Sequence, residues 1–344
     1  MVKKSFKELL KDHQNALINN DRDIFDNAKG GGIFKDKDYS YILKEGNEYH
    51  NLFRDIRGDV KDYFENNKIS FWGGKRITPN TLSSQVSCLN HLFLIRYNPS
   101  AVKDVMQAFV GDKFIIDKMC KVKTDKETFC CQYIAFEMIS NEDKMNEEKL
   151  TRGNTCTSID ALAIAEDSFG EKHVLVIEWK LVEDDTGNKA PTKNTSKSEK
   201  NISQGKTRVE RYGELIKNCS KLKGLEICSK EDGFYNSSLF NLPFYELMRQ
   251  TLWANLNKED FGAKDYLHIH VVPADNPMRT KVYNCIKDKK CCGVEDGWRH
   301  HLTSEGNKRY ILVDPYVVVK VLREKYFKEY EDLILYLEKR YYSI

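Results

Sequence analysis

The chain has 344 residues, of which 40% are hydrophobic and 31% charged, with a formal net charge of +3. That length suits one large decorated domain or two, and the near-balanced charge excludes a global basic field as the basis of function. No stretch approaches the roughly 18 consecutive apolar residues of a membrane span, so no membrane partner is expected.

The first segment, "MVKKSFKELLKDHQNALINN", carries lysines but no apolar core of a signal peptide, and reads as an amphipathic helix. With ten cysteines and no leader, reduced thiols in a cytoplasmic protein are the expectation. A second helical pattern, Leu52, Phe53, Ile56, Val60 and Phe64, comes after a break at Gly30–Gly32. Residues 1–70 therefore read as an N-terminal helical extension, and 71–344 as the main domain. Asn80 reads as the cap of a helix over 81–95, and another helix should begin at Ser100.

The character then changes. "KFIIDKM", "TFCCQYIAFEMI", "TSIDALAIA", "KHVLVIEWK", "DYLHIHVV" and "KRYILV" are rich in β-branched and aromatic residues and read as strands. Helical patterns return at 206–217, in "LPFYELMRQTLWANL" and over residues 316–342. Residues 183–206 form a long polar loop, of the kind that is either functional or disordered. This alternation predicts an α/β fold, a mixed central sheet flanked by helices.

The strand "VLVIEWK" ends in charge. With a side-chain period of two, Glu178 and Lys180 share a face and Trp179 packs behind them. Asp160 lies nine residues before Phe169 and Glu178 nine after it. A hairpin centred there sets the two carboxylates opposite one another, with Cβ atoms ~4.5–5.5 Å apart. A slip of one residue would send them to opposite faces. Facing carboxylates repel, and Mg²⁺, a hard oxygen-seeking ion, removes the conflict. Mn²⁺ would serve as well. Lys180 would then supply the electrostatic partner for phosphodiester hydrolysis.

Asp160 with Glu178-Trp179-Lys180 resembles the D…E-x-K signature of the PD-(D/E)XK, or restriction-endonuclease-like, nuclease superfamily. The order helix, strand, hairpin, helix, strand from residue 81 to 272 is similar to its αβββαβ core. "LSSQVSCLNHLF", "RGNTCTSIDAL", "RVERYGELI" and "HIHVVPADN" resemble motifs of a poorly characterised bacterial branch. The resemblance implies a Mg²⁺-dependent DNA endonuclease. Asp160 and Glu178, with the Trp179 carbonyl, would hold the metal, and Lys180 would be the catalytic lysine. Many members add an acidic residue from the first core helix. Here that helix offers Ser84 and Gln85, and Glu137 is the other auxiliary candidate.

Lys206, Arg208, Arg211 and Tyr212 fall on one helix and are candidates for contacting nucleic acid, or for a solvated basic face. DNA is the expected partner, with a second copy of the chain as a further candidate. A catalytically silent binding module on the same fold is the rival reading. His268 and His270 share a strand face and are expected to pack or hydrogen-bond rather than hold metal. The group Cys285, Cys291, Cys292, His300 and His301 lacks zinc-knuckle spacing, so ordinary thiols are expected there.

Overall fold

The structure is a computed structural model that describes residues 4–344 except 22, 35, 72–75, 124–131, 149–155, 184–198, 226–237 and 286–289; side chains of 199–205 are also outside the description. Most of the long polar loop with Lys189, Lys193 and Lys197, and Cys130, Cys131 and "RGNT", thus lie outside the described residues, and the expected loop end is corrected: residues from Glu199 are already helical.

Helix α1 (Phe6–Asn20) begins at a capping box in which Ser5 and Glu8 satisfy each other's backbone N–H groups. A β-hairpin comes next, β1 (Gly30–Phe34) with β2 (Lys37–Leu43). The expectation of helices alone across 1–70 is corrected here. Gly30 and Gly32 are not a simple break: an added Cβ would lie 2.1 Å from the Ser40 carbonyl and 2.3 Å from that of Leu43, so the glycines let the strands close. Short 3₁₀ turns lead into α2 (Arg57–Asn66).

Helix α3 (Ser84–Leu92) starts later than its apolar pattern suggests, because Ser83, and not Asn80, accepts the capping N–H from Val86. The Asn80 side chain instead accepts from Leu82 in a turn. Helix α4 (Pro99–Val110) has Asn98 as its cap and proline at its first position. Beyond it lie β3 (Lys118–Cys120), β4 (Ile134–Met138), β5 (Ile159–Glu166), β6 (Lys172–Trp179), α5 (Glu199–Lys217), α6 (Phe244–Asn257) and β7 (Asp265–Val271). A small hairpin, β8 (Val282–Asn284) with β9 (Lys290–Cys292), leads into α7 (Gly293–His301) and α8 (Ser304–Arg309). The chain closes with β10 (Tyr310–Val313) and α9 (Tyr316–Leu337), which continues into a π turn.

Six strands form one mixed sheet in the order β10-β7-β6-β5-β3, with β4 also paired to β5. Strands β6, β7 and β10 run parallel; β3, β4 and β5 add antiparallel pairs. The sheet separates two cores. One face, with Ala161, Ala163, Leu175, Ile177, Trp179, Leu267 and Ile269, packs with α3, α4, α9 and the N-terminal elements. The other, with Leu162, Val174, Val176 and Tyr266, packs under α5, α6 and α7. Residues before 70 share the first core, and the fully buried Arg340 binds the Asn51 carbonyl at 2.5 Å, tying the last turn to the N-terminal segment.

The turn between β5 and β6 sets the register of their hairpin. Asp167 accepts the N–H groups of Phe169 and Glu171 at 2.9 and 3.0 Å, and Gly170 takes φ +78°, a value glycine adopts without strain. Phe169 stands at the tip, 87% exposed. The turn pairs Glu166 with Lys172, and the ladder runs from there to Ala161 opposite Ile177.

Candidate active site: a row of carboxylates across the sheet

One step beyond Ala161 and Ile177, the register sets Asp160 opposite Glu178. On the far side of β5, Phe136 pairs with Ala161 and Met138 with Ile159, which brackets Glu137 and Asp160. On the far side of β6, Glu178 pairs with His270. Glu137, Asp160, Glu178 and His270 therefore form one row across four strands, near the end of the hairpin far from its turn.

The row holds like charges close together. Burial pushes the Asp160 carboxyl well above the usual carboxylate range, and the negative charges of Glu178 and Glu137 add to it. The Trp179 N–H, donated to Asp160 Oδ2 at 2.8 Å, and the Lys180 ammonium act in the opposite direction. The same hydrogen bond clasps the hairpin at its open end. The Trp179 side chain points to the other face, where its indole N–H donates to Ser87 on α3 at 3.1 Å.

Glu137 is placed by an unusual backbone. Its φ is +51°, a left-handed conformation rare for residues other than glycine. The kink breaks the strand's alternation: Ile134 and Phe136 pack in the first core, whereas Met138 packs in the second. Glu137 then accepts from Gln85 Nε2 at 2.6 Å and from the Ser158 hydroxyl at 2.8 Å. Gln85, Cys88, Glu137 and Asp160 line one recess with Phe64 and Phe136. Gln85 thus reaches the row through Glu137. Ser84, at the first position of α3, is half-buried.

Lys180 lies between two carboxylates. Its Nζ is 2.8 Å from Glu178 Oε1 and donates to Glu246 Oε2 at 2.5 Å. Glu246 belongs to α6, and so does Gln250, whose amide donates to Glu178 Oε2. Gln250 Oε1 must then accept from His268 Nε2, 2.8 Å away, and this fixes the imidazole tautomer. His268 Nδ1 accepts the Thr251 hydroxyl at 3.1 Å. Burial holds the His268 pKa down to about 3, so the ring is neutral. His270 Nδ1 pairs with the Tyr310 hydroxyl at 2.9 Å, and its Nε2 is buried without a hydrogen-bond partner among the described residues. Burial, then the charge of Lys180, pushes its pKa well below the ordinary value. Both histidines hydrogen-bond as expected.

Glu246 and Gln250 escaped the sequence reading. Their signal was present: Glu246, Arg249 and Gln250 recur at spacings of three and four in an otherwise apolar helix. Such a stripe of polar groups on a buried helix must find partners. Arg249 finds Glu147, at 3.1 Å, and Thr157.

On helix α5, Tyr212 departs from its expected role. Tyr212 is buried, 1% exposed, and donates its hydroxyl to Glu147 at 2.7 Å. It braces α5 against the segment before β5, and the expectation that it contacts nucleic acid is corrected. Arg211 is half-buried, and its guanidinium lies 3.7 Å from the Glu148 carboxylate. The Arg208 guanidinium sits 5.2 Å from the Tyr245 ring centroid, and Lys206 is exposed.

Glu178 and Glu246 thus flank the Lys180 ammonium, Asp160 lies near enough to feel its charge, and Glu137 stands beyond Asp160 at the edge of the row. Oxygen donors in excess of cationic charge are the donor set of a hard divalent cation, so the side chains present fit such an ion. Among the described residues no helix is long and apolar enough to cross a membrane. No curated protein and no solved structure matches the chain. The match that the chain does make spans residues 11–342: the protein belongs to the restriction-endonuclease-like family described as restriction endonuclease associating with ARP.

Proposed function

We propose that this protein is a metal-dependent nuclease that hydrolyses phosphodiester bonds in DNA. The single observation that carries the reading is the row Glu137–Asp160–Glu178, set by the hairpin register beside Lys180. The family's description as a restriction endonuclease supports DNA as the substrate. A silent binding module would have no use for adjacent carboxylates that repel one another at the cost of stability.

Asp160 and Glu178, with the Trp179 carbonyl, would hold Mg²⁺ or Mn²⁺, which when bound supplies Lewis acidity and an activated water. Glu137, steadied by Gln85 and Ser158, supplies a further oxygen donor at the edge of the row. Gln250 and His268 hold Glu178 in one orientation. Lys180, fixed by Glu178 and Glu246, presents a positive charge toward the scissile phosphate and offsets the charge that builds there. Arg208 and Lys206, on α5, would meet the phosphate backbone.

The test is incubation of the protein with plasmid, linear and single-stranded DNA in Mg²⁺, beside Lys180→Ala. Metal-dependent cleavage by the wild type that the variant lacks is the expected outcome. Absence of cleavage on all three substrates, in Mg²⁺ and in Mn²⁺, overturns it.

A further inference from the structure

A second cluster of metal-type ligands lies away from the carboxylate row. Cys285 comes just after β8, Cys291 lies in β9, and their sulfurs are bonded to each other; both residues are buried. The chain enters α7 through Gly293 at φ +83°, where an added Cβ would lie 2.2 Å from the Arg279 carbonyl oxygen. That close turn brings α7 back to the hairpin. Asp296 and His300, four apart on the helix, share one side of it. His300 Nδ1 lies 3.5 Å from Cys291 Sγ and 3.4 Å from Asp296 Oδ1. One ligand atom from each of Cys291, Asp296 and His300 fits within 4.8 Å of the others.

These separations have a chemical meaning. Tetrahedral zinc binds sulfur at about 2.3 Å and nitrogen at about 2.0–2.1 Å, so neighbouring ligand atoms stand roughly 3.3–3.8 Å apart. The two contacts, 3.5 and 3.4 Å, fall within that span. The membership also differs from the sequence pattern. Cys292 is exposed, and His301 turns inward to the Ser238 hydroxyl at 3.0 Å. Asp296, which spacing alone did not suggest, faces the sulfurs' neighbour His300 instead.

We propose that in the reduced protein Cys285, Cys291, Asp296 and His300 form a zinc site. A thiol reductant breaks the sulfur–sulfur bond and is itself oxidised to a disulfide, leaving two cysteine thiols. Zinc binding releases their two protons. His300 Nδ1 donates to the Asp296 carbonyl at 2.7 Å in the metal-free protein; on binding, its proton moves to Nε2 and Nδ1 takes the metal. The site joins the hairpin to α7. Gly297, within the ligand-bearing turn, packs so closely on Phe244 that a Cβ would lie 2.5 Å from the ring. Phe244 opens α6, so the zinc would stiffen the helix that carries Glu246 and Gln250.

This inference stands apart from the nuclease reading, and its test uses metal alone. Reduced full-length protein is titrated with Co²⁺ and Zn²⁺, beside Cys291→Ser, His300→Ala and Asp160→Asn. A thiolate-to-cobalt charge-transfer band, displaced by Zn²⁺, is expected for the wild type and for Asp160→Asn. It should be lost in Cys291→Ser and weakened at least tenfold in affinity in His300→Ala. The disulfide form, with two hydrogens fewer by mass, should show no band. No thiolate band in the reduced wild type overturns the proposal, and so does a band that survives Cys291→Ser. The wild-type spectrum decides even where a variant does not fold.

Discussion

Gln250 donates to the carboxylate of Glu178 while its own carbonyl accepts from His268, so a strand residue is oriented from a helix seventy residues later. Groups that orient a metal ligand are worth ~10–100-fold in metal affinity or activity. Gln250→Ala should therefore weaken Mg²⁺ binding and cleavage by that amount, with folding intact. Calorimetric Mg²⁺ titration checks it, and an unchanged affinity would show that Glu178 needs no such support.

Lys180 is predicted to matter for turnover and not for metal. Lys180→Ala should lower cleavage by ~10²–10³-fold, the range found for a charge aimed at a developing anion. Mg²⁺ affinity should hold or rise, because an ammonium 2.8 Å from Glu178 competes with the cation. Parallel rate and titration measurements separate the two effects.

Asp160 should destabilise the metal-free protein. Its folded pKa is raised, first by burial and then by Glu178 and Glu137. A raised pKa means stability that is present below the unfolded value and lost as pH rises through the folded one. Asp160→Asn, which still accepts the Trp179 N–H, should melt at a higher temperature than the wild type at neutral pH without metal. It should also lose the stabilisation by Mg²⁺. Thermal scans with EDTA and with Mg²⁺ test both, and a lower melting temperature in EDTA would refute the account.

Four buried histidines set the acid limit, among them His270, whose pKa burial pushes well below the ordinary value. His91, His268 and His301 are each held down to about 3, with burial the largest cause. A depressed pKa contributes stability above the unfolded value, near 6.5, and loses it as pH falls toward the folded one. With His270 the fourth such group, stability should fall by ~5 kcal/mol per pH unit below about 6. Urea unfolding at pH 7.5, 5.5 and 4.5 measures the slope, and a flat profile between the last two would contradict it.

Tyr212→Phe should cost about 1 kcal/mol, the hydroxyl's bond to Glu147, and leave DNA affinity unchanged. Arg208→Ala should weaken DNA binding and flatten its salt dependence. Fluorescence anisotropy at two salt concentrations distinguishes them, and a loss of affinity in Tyr212→Phe would restore that residue to the interface.

The parts of the site legible in the sequence are those set by local rules. Alternation placed Glu178 with Lys180, and the turn around Phe169 placed Asp160 opposite, because a hairpin's register is dictated by its turn. The αβββαβ order was legible because strands and helices there are strongly patterned. What stayed hidden depends on packing between distant segments. Glu246 and Gln250 reach Lys180 and Glu178 only once α6 lies on the sheet. Tyr212 looked like a surface residue until Glu147 claimed its hydroxyl. Gly30–Gly32 read as a break because nothing local reveals that Ser40 and Leu43 come within touching distance.

At position 137 the fold and the proposed chemistry make opposing demands. A left-handed backbone suits glycine, which would relax the strand, yet glycine has no side chain to accept from Gln85 and Ser158 or to add a negative charge to the row. The protein keeps the strained choice. Selection for mere persistence would drift this residue toward glycine or asparagine, and selection for cutting would hold it. Position 137 is thus a natural gauge of whether a member of the family still depends on its carboxylates.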